Sequence, residues 1–295
     1  MTRTPPDPAK NRIALSMGKA TILTEAMPFM QELKGKTIVI RYGGSAMADE
    51  TLRHSLAGDV ALLALVGIQP VIVHGGGPQL ARAIGQAGVE PQLVDGMQVT
   101  DLDAIRVVQT TLAGEINPDI VRLLGSYGAK AAGITGIDCN LFVASQLDPK
   151  LGFAGEVQQV NPELIHATLA DDIIPVIAPL ALADDGQVYV INADLAAGSL
   201  AIALGAEKLV HLTDVAGLYR VLGDQGSLIQ RVTSEYFREL IDGGTVSNEM
   251  LPKLESCIRA VEGGVRRAHV LDGRVQHALL LEFFTPEGIG TMVRK

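Results

Sequence analysis

The sequence predicts an α/β chain organised on one continuous, largely parallel sheet. Three observations carry this. Short apolar runs of strand type alternate with helical periodicity, two of those runs end directly in glycine clusters, and no internal repeat or low-complexity linker interrupts the alternation. With 295 residues, 47% of them hydrophobic, the chain can fill a large core, as one big domain or as two lobes sharing a sheet.

The first element predicted is a helix from Asp7, with Asp-Pro as N-cap and first turn. Ile13, Met17, Ala20, Leu23, Met27 and Met30 recur along it at three- and four-residue steps. Pro28 is expected to kink or break it. An amphipathic helix ahead of the first strand has no core of its own, so it must lie on its own domain or on another subunit.

A βαβ rhythm follows: strand Thr37–Tyr42, helix 52–66, strand 70–74, helix 79–87. Ile38-Val39-Ile40 and Val71-Ile72-Val73 read as strands buried on both faces, because parallel strands covered by helices are continuously apolar. Residues 93–129 read as mainly helical, 131–134 and 141–144 as short strands, and 147–159 as a hairpin or flap. Strands are expected again at 173–177, Val188–Ile191 and Lys208–Thr213, with a helix at 195–204. Helices at 234–241 and 252–261 follow, and 268–271 and Ala278–Phe284 read as closing strands.

Charge and composition exclude several functions. Lys and Arg total 24 against 33 Asp and Glu, a formal charge of −9 that disfavours a nucleic-acid surface, and 4% aromatics supply few stacking platforms. No apolar run reaches the roughly 18 residues of a membrane span, and no signal pattern opens the chain, so a soluble cytoplasmic protein is expected. Cys139 and Cys257 stand far apart, without metal-ligand spacing, and read as reduced structural thiols; no metal site is expected. An anionic ligand must therefore be held locally, by backbone N–H groups, helix N-termini and a few placed cations.

Five motifs could do this. Gly43-Gly44-Ser45 follows the first strand, and His74-Gly75-Gly76-Gly77-Pro78 follows the second. In open α/β sheets ligands collect at strand C-termini, where glycines let backbone N–H groups approach phosphate oxygens; either cluster alone is equally an ordinary turn. Asn192-Ala193-Asp194 leads into a small-residue helix, where the carboxylate orients a charged partner or caps the helix. The run from Leu212 through Thr213, Asp214 and Gly217 to Tyr219 leaves a strand as a nucleotide-contacting loop would, or as a plain strand exit. Pro252 suits a first helical turn and sets Lys253 beside a helix N-terminus, an unfavourable place for a cation unless an anion or solvent meets it.

The order Tyr42-Gly-Gly-Ser-Ala-Met, His74-Gly-Gly-Gly-Pro-Gln, Val99-Thr-Asp, Asn192-Ala-Asp, Leu212-Thr-Asp-Val-x-Gly-Leu, Met250-x-Pro-Lys and Gly288-x-Gly-Thr-Met resembles the acetylglutamate kinase family over nearly the whole chain. The resemblance implies the amino acid kinase fold: an open, mainly parallel sheet between helices in three αβα layers, with an N-terminal helical extension. It further implies an oligomerisation segment 1–34, an acid-substrate lobe 35–180 and a nucleotide lobe 181–295 with an effector-type end.

By the same resemblance the γ-phosphoryl of ATP, with Mg2+ carried on the phosphates, moves to the side-chain carboxylate of N-acetyl-L-glutamate or a related acid. Gly43, Gly44, Gly75 and Gly76 would donate N–H groups, with Gly75 and Gly76 also on the acid side. Thr213, Asp214 and Tyr219 would lie at the nucleotide. Asp194 would organise the catalytic cations and Lys253 would meet the phosphates. The acid would meet Gln98, Val190 and Asn192.

Three of these positions depart from the family pattern. Arg41 stands where the family has a lysine between donor and acceptor oxygens, Gln98 where it has an arginine gripping the α-carboxylate, and Val190 where it has an asparagine. Asn248-Glu249 replaces a Gly-Gly pair. Losing a charge-assisted contact costs roughly 1.5–3 kcal/mol, one to two decades in binding. A second reading is thus a relative that has lost transfer chemistry and acts as a binding or regulatory protein. A dinucleotide-dependent oxidoreductase is disfavoured, since no G-x-G-x-x-G follows a strand.

The C-terminal stretch resembles the arginine-inhibited branch of the family. There the N-terminal helix builds a hexamer from dimers, and Lys208, His277, Glu282 and Gly288 become candidates for holding an L-arginine effector. For His277 a satisfied packing role, and for Glu282 an edge-strand charge, are the alternatives.

Overall fold

The computed structural model describes residues 8–89, 93–94, 97–215, 217–219, 225–242 and 250–295. In chain order these form α1 (Pro8–Leu33), β1 (Thr37–Tyr42), α2 (Glu50–Leu65), β2 (Gln69–His74), α3 (Gly77–Gln86), β3 (Leu93–Val94), β4 (Met97–Gln98), α4 (Leu102–Thr111) and α5 (Asn117–Ser126). Next come β5 (Ala131–Thr135), β6 (Phe142–Gln146), β7 (Ala154–Val160), α6 (Glu163–Ala170), β8 (Ile174–Ala178), β9 (Leu180–Leu182), β10 (Val188–Ile191), α7 (Ala193–Ala203) and β11 (Lys208–Thr213). The chain closes with β12 (Arg231–Thr233), α8 (Ser234–Asp242), α9 (Leu251–Glu262), β13 (Arg267–Asp272), α10 (Ala278–Phe284) and β14 (Thr291–Arg294).

Eight strands form the main sheet in the order β12-β14-β13-β11-β1-β2-β8-β5, and every pairing is parallel except β13 with β14. The side-chain alternation of β1 divides the interior. Ile38, Ile40 and Tyr42 enter a core shared with α2, α5 and α10, while Val39 enters one shared with α7 and α9. Helices therefore cover both faces, and the central strands are apolar on each, which is why they read as continuous runs. Arg41, on the Val39 face, emerges at the C-terminal end of β1 towards α7 and α9.

The hairpin expected at 147–159 is part of something larger: β6, β7, β9 and β10 close into a four-stranded barrel beside the main sheet. Closure pairs strands distant in sequence, a relationship no local pattern carries. Leu93–Val94 and Met97–Gln98 form a short antiparallel pair, β3 with β4, rather than helix.

One expectation about the helices fails, and of the kink or break expected at Pro28 the break is absent. Ala278–Phe284 is a helix, α10, not a strand. Its Ala-Leu-Leu-Leu-Glu-Phe-Phe run is apolar but for Glu282, whose side chain is itself buried, so periodicity cannot separate a short buried helix from a strand. Helix α1 also continues through Pro28 to Leu33. Ala26 and Leu33 are buried at its end, while Met17, Ile22, Leu23 and Met27 are exposed. Cys257 is buried and Cys139 exposed, both free. Among the described residues no helix is long and apolar enough to cross a membrane.

Candidate active site

Strand β1 places Arg41 directly beside His211 of β11 in the parallel register. Both side chains turn to the face covered by α7 and α9 and converge on one carboxylate. Asp194, in the first turn of α7, is 4% exposed. Its Oδ1 lies 2.7 Å from Arg41 Nε and 3.3 Å from His211 Nδ1, and its Oδ2 lies 3.6 Å from Lys253 Nζ. Burial alone would raise this carboxyl, but Arg41, then His211 and Lys253, outweigh it and hold Asp194 well below the usual carboxylate range.

The helices are fixed for this purpose. Asn192, expected at the acid, is the N-cap of α7 and accepts from the N–H groups of Asp194 and Leu195, so the Asn-Ala-Asp motif sets the carboxylate one residue inside the helix. Pro252 opens α9 and carries Lys253 into the site, where Asp194 is an anion for the cation at that helix end. Ser256, one turn later, donates to the main-chain oxygen of Asp194 at 2.6 Å and locks α9 against α7.

The two glycine clusters frame Arg41. A Cβ on Gly43 would stand 1.6 Å from Arg41 Nη1, so a side chain there would push the guanidinium aside. The guanidinium also reaches over Gly75. Gly44, at φ +74°, turns the chain so that the carboxylate of Asp214 accepts from Ser45 N at 2.9 Å and Ser45 Oγ at 2.6 Å. Asp214 thus ties the loop after β11 to the loop after β1, and Thr213 Oγ1 steadies its turn by accepting from Val215 N. Tyr219 bridges to Leu228 in the same region.

His74 ends β2 fully buried. Its Nδ1 hydrogen-bonds Gly75 O at 2.8 Å, and Asn117 reaches its Nε2 at 3.1 Å while donating to Val176 O at 2.8 Å. Burial pushes His74 down to about 4, so it is neutral at pH 7 and orients the second glycine loop by geometry. Asn117 follows a five-residue π-helical turn, Leu112–Ile116, whose Ile116 packs against Gly76. Such turns re-aim side chains inside helices, frequently at functional sites.

On the acid side, Val190 is half-buried on β10 of the small barrel, and Gln98 pairs with Leu93 through its backbone. The Gln98 side chain and Asn248-Glu249 lie outside the described residues.

A second site lies on the opposite face, at the N-terminal ends of β11 and β13. A cavity of about 400 Å³ there is lined by Lys208, Glu282 and Gly288 together with residues of α1. Lys208 Nζ sits 3.4 Å from His269 Nε2 and over the ring of Phe283, and His269 Nδ1 meets Glu282 Oε1 at 2.8 Å. Glu282 Oε2 accepts from the N–H groups of Ile289 and Gly290. Burial, with Arg267 adding, brings Lys208 down to about 8. His277 is not in this cavity: it stands ahead of α10, 2.7 Å from the buried Asp59 of α2, with its backbone N–H on Ser55. The helix that replaced the expected strand carries it away.

His211, Ser256 and His269 were missed by sequence reasoning. The signal for the histidines was present: each interrupts an otherwise apolar strand, Leu-Val-His-Leu and Ala-His-Val-Leu. A polar residue on a strand buried on both faces must be hydrogen-bonded, and so asks for a partner.

A carboxylate gathering two permanent cations at the mouth of two glycine loops can position an anion and neutralise charge moving on it. Residues 36–272 match the model of the amino acid kinase family. The chain belongs to that family. An acetylglutamate kinase of Nitrosococcus oceani is 45% identical over 294 residues, covering 95% of this chain and 97% of the relative. One of Caldanaerobacter subterraneus is 47% identical over 279 residues, covering 94% and 93%.

Among solved structures, N-acetylglutamate synthase of Neisseria gonorrhoeae with coenzyme A and N-acetylglutamate superposes at a TM-score of 0.82 and 27% identity. It is matched over 94% of this chain, which spans 63% of the synthase. The synthase complex with coenzyme A and L-arginine gives 0.78 and 25%, over 94% of this chain and 65% of that one. With these relatives in that family, the chain is an ATP-dependent carboxylate kinase.

Proposed function

We propose that this kinase transfers the γ-phosphoryl group of ATP to the side-chain carboxylate of N-acetyl-L-glutamate, giving an acyl phosphate for arginine biosynthesis in the cytoplasm. The observation that carries the reading is the meeting of Arg41 and Lys253 on Asp194 beside Gly43 and Gly75. Phosphoryl transfer between two anions is mainly positioning and charge neutralisation, which this cluster suits. Gly43, Gly44, Gly75 and Gly76 fit phosphate oxygens through their backbone; Mg2+, carried on the phosphates, would spread their charge. Residues 35–180 would serve the acid and 181–295 the nucleotide. The alternative of a silent regulatory relative has less support, since Arg41 and Lys253 still bring two cations to Asp194 and the relatives at 45% and 47% identity are named as kinases.

The second cavity supports regulation by L-arginine. Glu282 would meet a guanidinium and Lys208 a carboxylate, with His269 in the place first expected for His277. Exposed apolar residues of α1 support assembly of dimers into a hexamer through that helix. ADP release coupled to an indicator reaction, with and without acetylglutamate, tests the activity. Turnover no greater than with ATP alone, for acetylglutamate and other acyl-amino acids alike, would rule it out.

A further inference from the structure

Two buried histidines stand near the glycine loops, and counting protons in their hydrogen bonds separates them. His74 is complete as a neutral ring. Nδ1–H donates to Gly75 O, and Nε2 accepts from the Asn117 amide, whose further contacts with Val176 O and Ile134 O fix which way it faces. A second proton would point at that amide's own hydrogens.

His211 is the reverse case. Ser256 Oγ lies 2.6 Å from Asp194 O, a carbonyl with no proton to give, so the hydroxyl donates. Ser256 Oγ is then the acceptor for His211 Nε2 at 3.1 Å, which must carry hydrogen. A neutral ring so constrained turns its Nδ1 lone pair on Asp194 Oδ1, 3.3 Å away. Only the doubly protonated ring satisfies all three contacts.

Burial holds the second proton off, and the charges of Arg41 on β1 and Lys253 on α9 add to it, while Asp194 on α7 pulls the other way. Cys257 on α9 stays a thiol, pushed up by burial, and the β13 neighbour in register is Val270, which carries no charge. A polyphosphate arriving at Arg41 and Lys253 would offset their repulsion of an imidazolium. We propose that His211 is a positioning residue that takes up a proton from solvent when a nucleotide binds, and that the imidazolium then fixes Asp194 through Nδ1–H. The proposal rests on the nucleotide reading given above.

Calorimetric titration of the full chain with Mg-ADP, in two buffers of different ionisation enthalpy near neutral pH, measures the proton count. Wild type should take up as much as about one proton per nucleotide more than His211→Gln. Ser256→Ala should also lose the excess, because it frees Nε2 and lets a neutral ring donate from Nδ1 to Asp194. Equal uptake in wild type and His211→Gln overturns the proposal, as does full uptake in Ser256→Ala.

Should His211→Gln not fold, ring 15N spectra of wild type decide. The buried His211 signals must move to the doubly protonated pattern when Mg-ADP is added, and unchanged signals overturn the proposal. Mg-ADP giving no binding heat in wild type would overturn the nucleotide reading and this proposal together. Binding heat without His211-dependent uptake overturns this proposal alone.

Discussion

Arg41 Nε approaches Asp194 Oδ1 to 2.7 Å, yet the N–H is turned away from the carboxylate, leaving a buried ion pair without an aligned hydrogen bond. The guanidinium instead spreads over Gly43 and Gly75, into space that the proposed transfer would give to the phosphoryl group. A lysine has one compact ammonium on a flexible stem and would leave that space open. Arg41→Lys is therefore expected to raise kcat for acetylglutamate by about tenfold, read by ADP release. Adding Gln98→Arg should lower KM for acetylglutamate by roughly one to two decades, the worth of a charge-assisted carboxylate contact. Unchanged constants in both variants would remove these positions from the account of activity.

The neutral His74 ties stability to pH. Its folded value of about 4 lies below the ordinary 6.5, so between these the unfolded chain binds more protons and stability falls as pH drops from about 6.5 to 4. The loss from this group approaches about 3 kcal/mol. His74→Gln, which cannot take up a proton, should flatten that part of a denaturant-midpoint profile while leaving the profile above pH ~7 parallel to wild type. Equal slopes would show that His74 already has its unfolded proton affinity.

How much of this was legible in the sequence differs between sheet and site. The central strands were readable because burial on both faces leaves only apolar choices, and the glycine clusters marked where they end. Helix α10 was not, because a seven-residue buried helix leaves no polar face to show its period. Arg41, Asp194 and Lys253 come from three distant segments, and their order along the chain could be matched to a pattern. The pairs Asp214 with Ser45 and His211 with Ser256 are set by tertiary packing alone. So is the exchange of His277 for His269 in the second cavity.

Lys208 holds a buried cation at a cost. Its value of about 8 lies below the ordinary 10.5, so the folded chain carries the full penalty below pH 8 and sheds it as pH rises towards 10.5. Lys208→Met, with similar length and no charge, should be more stable than wild type at pH 7, by up to about 3 kcal/mol before lost ring contact is subtracted. The advantage should vanish near pH ~10. The same variant should weaken L-arginine binding at least about tenfold by calorimetry, since a buried cation facing a ligand carboxylate is lost. Greater stability with unchanged arginine affinity would separate Lys208 from any effector role.

Helix α1 buries Ala26 and Leu33 against the body of the chain but leaves Ile22 and Leu23, each 66% exposed, in water with Met17 and Met27 nearby. Four large apolar side chains exposed around one helical segment are costly to hydrate, and exposed apolar surface of this extent suits a protein contact. If copies of α1 interlock, charge at these positions must separate them without unfolding the body, because neither Ile22 nor Leu23 belongs to the core. The double variant Ile22→Glu, Leu23→Glu should run as a smaller species in sedimentation velocity, with Tm within a few degrees of wild type, roughly the effect expected of surface substitutions. An unchanged sedimentation coefficient would mean that α1 does not join copies of the chain, and that its apolar residues meet some other surface.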